Sequence, residues 1–221
     1  MKKGILLSLV TLFLCLTAIA GPRDKKKATD RREVDEFTKI ENNSSCNITY
    51  NQQSQIYVVR VIGALNDVDK VLTRVEHGVL KISVRSGERL KGAVTVDITS
   101  PHLEQYDGLD SGNFTAQTIM SLVNAVFNLK GSGNVTLPDV DFKQLKVNVQ
   151  GSGNVNIKDA HGTDMEVHNS GSGNVKGTVE TDRYRGDASS SGSIKMKGSS
   201  SDFETQQTGS GKSTFNGKGK R

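Results

Sequence analysis

Asp139 and Asp159 stand twenty residues apart, in "LPDVD" and "IKDAH". Two carboxylates brought side by side can ligate Ca²⁺ or divide acid and base work between them. They are the candidate binding pair of this chain. The residues at the same offset in the next two units are Val179 and Gly198. No row of ligands therefore continues, the nonapeptide repeat of Ca²⁺-binding β-rolls is missing, and polar turn residues are the simpler reading. His77, His102, His161 and His168 form no HExxH pair and no Cys–His zinc spacing, so each reads as a surface residue. "GSGKST" at 209 resembles the end of a phosphate-binding loop, but that motif needs Gly where Gln206 stands. Stacked Gly-Ser-Gly turns could still present backbone N–H groups to an anion. No GxSxG elbow or Ser/His/Asp set is visible. The expectation is no catalytic residue, no metal and no cofactor.

Whatever chemistry exists must be positioned by a repeat. "KGSGNVTL" at 130, "QGSGNVNI" at 150, "SGSGNVKG" at 170 and the looser "SSSGSIKM" at 189 nearly copy one another. The glycine before each Asn or its equivalent falls at Gly112, Gly133, Gly153, Gly173, Gly192 and Gly211, in steps of 21, 20, 20, 19 and 19. A fixed period of this length means stacked units. Two residues past that glycine come Phe114, Val135, Val155, Val175, Ile194 and then Ser213. Before the next turn, alternation gives Ala125, Phe127 and Leu129, then Leu145, Val147 and Val149. Each unit thus predicts two short strands with inward apolar residues at period two. One unit alone buries too little apolar surface to offset the ordering of its chain, whereas stacked units share a core. Inward positions shrink or turn polar at Gly186, Thr205 and Gln207, so the last units are expected to be thinner and less stable.

The turn glycines are Gly112, Gly131, Gly133, Gly151, Gly153, Gly171, Gly173, Gly192, Gly209 and Gly211, joined by Asn134, Asn154 and Asn174. Sharp reversals favour φ > 0, which glycine reaches freely and Asn tolerates. Repetition of the turn stacks Asn over Asn about 4.8 Å apart. An amide ladder through Asn134, Asn154 and Asn174, with Asn113, is expected.

Earlier in the chain, "CNITY", "IYVVRVIG", "VLKISV" and "GAVTVDIT" alternate as half-buried strands. "DVDKVLTRV" fits a short helix or a strand. Residues 21–32 are charged and aperiodic and read as a flexible basic leader. Lys2 and Lys3, an apolar run of a dozen residues and Ala18-Ile19-Ala20 read as a cleaved secretory signal over 1–20. Leu14 before Cys15 argues against lipidation. Cys46 is then the only cysteine left, a small buried apolar residue rather than half of a disulfide. Net charge is +5, and +3 without Lys2 and Lys3; the basic runs at the ends read as solvated tails, with 218–221 as a polar tail. With no Trp and no basic stripe interleaved with aromatics, nucleic acid is not an expected partner. No second apolar run of about 20 residues follows to span a membrane.

The turns in register, with "VTVDITSPHL" and "DGLDSGNF" before them and the leader peptide, carry a resemblance. Roughly residues 33–217 resemble the bacterial family described as putative auto-transporter adhesin, head GIN domain. N-terminal strands would occupy 33–100 and the GSG repeats 101–217. The resemblance implies an all-β, right-handed parallel β-helix of roughly 20-residue rungs, with two sheets and GSG at the tight turn. It also implies cell adhesion at the surface of Gram-negative, Bacteroides-like bacteria, and a pectin-lyase-like fold without the catalytic residues. With its end at Arg221, the chain is not expected to carry a translocating barrel. Location is thus expected to be exported, in the periplasm or at the outer cell surface.

The leading expectation of function is a non-enzymatic binding protein or adhesin. Its partner would be a glycan, an envelope component or a second copy. The alternatives are a carbohydrate-active β-helix using Asp139 and Asp159, or a periplasmic scaffold.

Overall fold

The computed structural model describes residues 26–119 and 121–219. The secretory signal expected over 1–20, Cys15, the first part of the 21–32 leader and the last two residues lie outside them. The chain enters through β1 (Lys27–Arg32), β2 (Lys39–Asn43), β3 (Asn47–Gln52) and β4 (Val58–Ala64). A four-residue helix, α1 (Leu65–Val68), leads to β5 (Val71–Glu76) and β6 (Val79–Val84). Next come β7 (Thr95–Ser100), β8 (Gln105–Gly108), β9 (Phe114–Thr118) and β10 (Leu122–Leu129). Four long strands follow: β11 (Val135–Val149), β12 (Val155–Asn169), β13 (Val175–Ala188) and β14 (Ile194–Gln207), then β15 (Ser213–Gly219). The fold is an all-β solenoid.

Each unit from β11 onward is one bent strand rather than two strands joined by a turn. Parallel pairing runs from Val135↔Val155 through Val149↔Asn169 along its whole length. The GSG segment makes one corner, and the second is taken within the strand. Among these long strands the register slips at Ile157/Ala160, as β12 meets β13, which is one residue shorter.

Each bent strand has a first arm after the GSG corner and a second arm before the next corner. Below β11 the two arms are separate strands. The first-arm stack runs β4–β7–β3–β9–β11, and the second-arm stack runs β5–β6–β2–β8–β10–β11. β3 therefore sits between β7 and β9, and β2 between β6 and β8. Residues 39–52 are slotted between rungs that lie far along the chain.

The parallel solenoid begins on antiparallel strands. β4 pairs antiparallel with both β7 and β1, and β5 with β6. The β5–β6 hairpin turns on His77 (φ 51°) and Gly78 (φ 74°), as a tight hairpin between right-twisted strands requires. "DVDKVLTRV" is divided, its start in α1 and the rest in β5.

The reading of 21–32 as a flexible leader is corrected for Lys27–Arg32, which is strand β1. Its six residues pair with Ala64 back to Val59. Backbone pairing needs no apolar periodicity, so polar composition concealed it. Ala28 packs on the core, and the Arg32 guanidinium donates to the Val68 and Val71 carbonyls at 3.2 and 3.3 Å. A charged strand here also covers the free edge of β4. At the other end, β15 runs to Gly219, so the tail expected at 218–221 begins inside a strand.

The core is a set of columns. Val135, Val155, Val175 and Ile194 pair in register, each at most 1% exposed. Phe114 lies one rung before Val135 and packs on Tyr106 (ring centroids 4.3 Å apart) and Phe127 (5.8 Å). Tyr106, Phe127, Val147, Val167 and Gly186 form another column. The column Leu145, Met165, Tyr184 ends on Phe203, which is 48% exposed, and Thr205 and Gln207 are exposed. The interior thins where the inward residues turn polar.

Candidate binding face

The corner glycines are explained by crowding rather than by positive φ. Positive φ among glycines occurs at Gly78, Gly87 and Gly198, and at none of the ten corner glycines. A Cβ at Gly133 would fall on the Gly112 carbonyl oxygen, one at Gly153 on that of Gly133, and one at Gly173 on that of Gly153. Each corner is pressed onto the corner below. Ser152 N–H and Gly153 N–H both reach the Gly131 carbonyl (3.2 and 3.4 Å), and Ser172 and Gly173 repeat this on Gly151 (3.0 and 3.2 Å).

Beside the corners runs the amide ladder. Asn134 Nδ2 donates to Asn113 Oδ1 at 2.9 Å, Asn154 Nδ2 to Asn134 Oδ1 at 3.0 Å, and Asn174 Nδ2 to Asn154 Oδ1 at 3.2 Å. The backbone N–H of each donor residue binds the same oxygen, at 2.9 to 3.0 Å. The ladder is longer than the repeat suggested. Asn113 Nδ2 donates to Asn47 Oδ1 at 2.9 Å, and Ser193 N–H to Asn174 Oδ1 at 3.1 Å.

A signal for Asn47 was present: "NNSSCNI" at 42 aligns residue for residue with "NSGSGNV" at 169. Cys46 stands at the corner-glycine position and is fully buried. Burial raises its thiol pKa, so the thiolate that would react is disfavoured. The same alignment pairs Asn42 with Asn169. Both amides are buried and fold back on their own corner: Asn42 Nδ2 donates to Cys46 O at 2.9 Å, and Asn169 Nδ2 to Gly173 O at 2.7 Å.

The two arms expose different electrostatics. On the second arm, charges alternate and pair from rung to rung. Lys146 meets Glu166 at 3.0 Å, and Arg185 meets Asp202 at 2.8 Å and Glu204 at 3.2 Å. Hydrogen bonds from Lys146 and Arg185 hold the Glu166 and Asp202 carboxyls below their ordinary range. His168 lies 3.5 Å from Glu166 in the same lattice.

The first arm is basic and polar. Its outward columns read Thr136, Asn156, Lys176, Lys195, Thr214 and, two residues further along the last strands, Thr178, Lys197, Asn216. No Asp or Glu stands among them. A shallow groove of about 440 Å³ lies between the Asn ladder and the first column, from Asn134 and Thr136 to Asn174 and Lys176.

Asp139 and Asp159 are register partners at the outer corner where the first arm ends. Asp139 is exposed, with Lys158 Nζ 3.1 Å from its carboxylate, and Asp159 is 3.8 Å from His161. The pair is thus brought together, but with a lysine against one carboxylate. Among the described residues, no group of three or more His, Cys, Asp or Glu side chains could hold a metal ion.

The family model for the putative auto-transporter adhesin, head GIN domain, matches residues 36–160 and 150–217. The chain belongs to this family. A putative adhesin from Bacteroides fragilis NCTC 9343 has a similar structure, with a TM-score of 0.68 at 24% identity over 87% of this chain and 98% of that one. A putative lipid binding protein from Parabacteroides distasonis ATCC 8503 gives a TM-score of 0.59 at 21% identity, over 87% of this chain and 96% of that one. A putative adhesin from the same organism gives 0.51 at 18% identity, over 87% and 98%. These likenesses show the shared fold. No curated protein matches the chain. Among the described residues, no helix of this head GIN protein is long and apolar enough to cross a membrane.

Proposed function

We propose that this chain is an exported, non-enzymatic binding protein of the bacterial envelope that adheres to an extended partner through its stacked outer face. The observation that carries this reading is the five-residue amide ladder from Asn47 to Asn174, flanked by columns of Thr, Asn and Lys. It repeats one set of hydrogen-bonding groups at a fixed spacing along the solenoid, which suits a partner that is itself repetitive. Family membership supports adhesion, and the leader-like first twenty residues support export. Asp139, exposed and salt-bridged to Lys158, gives the carbohydrate-active alternative no geometric support.

Adherence of the purified chain to intact cells and to isolated envelope material tests the reading. Saturable binding supports it. An absence of binding to every cell-surface fraction, or turnover of a polysaccharide abolished by Asp139→Asn, overturns it.

A further inference from the structure

We infer that the first-arm face of the last rungs is a binding surface for a linear anionic glycan, gripped by Lys176, Lys195, Lys197 and Lys212. The inference rests on the binding reading above and names the partner and the residues.

Charge is sorted by face. The first-arm segments 112–118, 131–138, 151–158, 170–178, 190–197 and 209–217 contain no Asp or Glu. Apart from Asp110, exposed at the corner beneath Gly131, acidic residues of these rungs lie from Asp139 onward in each unit, at the far corner and on the second arm. There they pair with Lys146, Arg183 and Arg185. Lys158 is taken by Asp139. Lys176, Lys195, Lys197 and Lys212 are exposed, and none has an acidic partner among the described residues. Lys176 and Lys195 are register neighbours, so their stems start about 4.8 Å apart. Lys197 is two residues along the same strand, and Lys212 N–H bonds Ser193 Oγ, one rung on from Ser193 in the ladder column.

Four uncompensated ammonium groups on one flat face repel each other, and an anionic partner removes that repulsion. The remaining groups fit sugar hydroxyls: the amides of Asn134, Asn154 and Asn156 and the hydroxyls of Thr136, Thr178 and Thr214. The face has no aromatic platform for nucleobases, and its cations are lysines rather than the forked guanidinium suited to phosphate. The large apolar side chains exposed elsewhere, Leu72, Val123 and Phe203, are absent from it, so nothing here would insert into a lipid layer.

The test is binding of the purified chain to immobilised polygalacturonate and heparin, with dextran as the neutral control and phosphatidylglycerol vesicles as the lipid arm. Binding to at least one acidic polysaccharide and not to dextran is expected. It should weaken about tenfold to a hundredfold as salt rises fourfold. A variant with K176Q, K195Q, K197Q and K212Q should lose at least about tenfold in affinity, whereas K143Q on the other side of the corner changes it less than about twofold.

Acetylation footprinting of the native chain bypasses any folding defect: the bound polysaccharide should protect the four lysines and leave Lys143 reactive. Unchanged affinity of the four-lysine variant, protection elsewhere, or tighter binding to vesicles than to either polysaccharide overturns the inference. If the same variant still adheres to cells, the adhesin reading stands and only the lysine face falls. If the native chain adheres to nothing, both fall.

Discussion

Asn134 and Asn154 are joined twice through a single oxygen. Asn134 Oδ1 accepts the side-chain amide and the backbone N–H of Asn154, each at 3.0 Å. The second bond satisfies a backbone donor at the corner, where the β11–β12 ladder has not yet begun. The ladder therefore holds the corners in register as well as decorating the face.

Removing one rung of it should be felt in proportion. Asn154→Ala deletes the bonds to Asn134 and Asn174 at an exposed site, where water replaces part of what is lost. A loss of about 1 kcal/mol in urea unfolding is expected.

Crowding at the corners predicts a larger effect. Gly153→Ala places a methyl on the Gly133 carbonyl, and the two rungs must part. The expected cost is about 3 kcal/mol, measured by denaturant midpoint. Ser152→Ala, at an exposed neighbouring position, should be nearly silent.

Asn169 is a buried polar side chain that ties Gly173 O and the Gly171 N–H into one corner. Asn169→Leu fills the column but leaves that carbonyl without its amide partner. Destabilisation of about 1–3 kcal/mol is expected, with the amides of 170–174 exchanging faster by hydrogen–deuterium measurement.

Asp67 links pH to stability at the antiparallel end. Burial alone raises its pKa, but hydrogen bonds from the Lys91 and Gly92 N–H groups (3.0 and 2.9 Å) and Lys70 at 3.5 Å outweigh it and hold the carboxyl below its ordinary value. A depressed folded pKa gives stability that is present above the unfolded value of about 3.9 and lost as pH falls through the folded one. Unfolding midpoints should drop as pH is lowered through that range, and Asp67→Asn should flatten the drop while weakening the protein at neutral pH.

Cys46 is fully buried with its pKa raised by that burial. A thiol reagent should label it only as fast as the native chain opens, and stoichiometrically once denaturant unfolds it. Rapid labelling of the folded chain would show that the corner at Ser44–Asn47 is not closed.

The regular half of this molecule was legible in the chain because its signal is local and repeated. A glycine every twenty residues or so, with apolar residues at fixed offsets, specifies columns such as Val135, Val155 and Val175 before any coordinates are seen. β1 was illegible because backbone pairing to β4 leaves no mark on side-chain composition. Asn47 was missed because its copy of the corner is degenerate and lies 66 residues before Asn113.

By itself, then, the sequence determined the solenoid, the inward columns and the Asn134–Asn154–Asn174 ladder, since each follows from period and alternation. Tertiary structure alone decided that β2 and β3 are slotted between later rungs and that the corner glycines answer to a neighbouring carbonyl. It also decided that the lysines share a face empty of acid. These depend on which residues meet across rungs, and a stacking partner one floor away is invisible until the register is set.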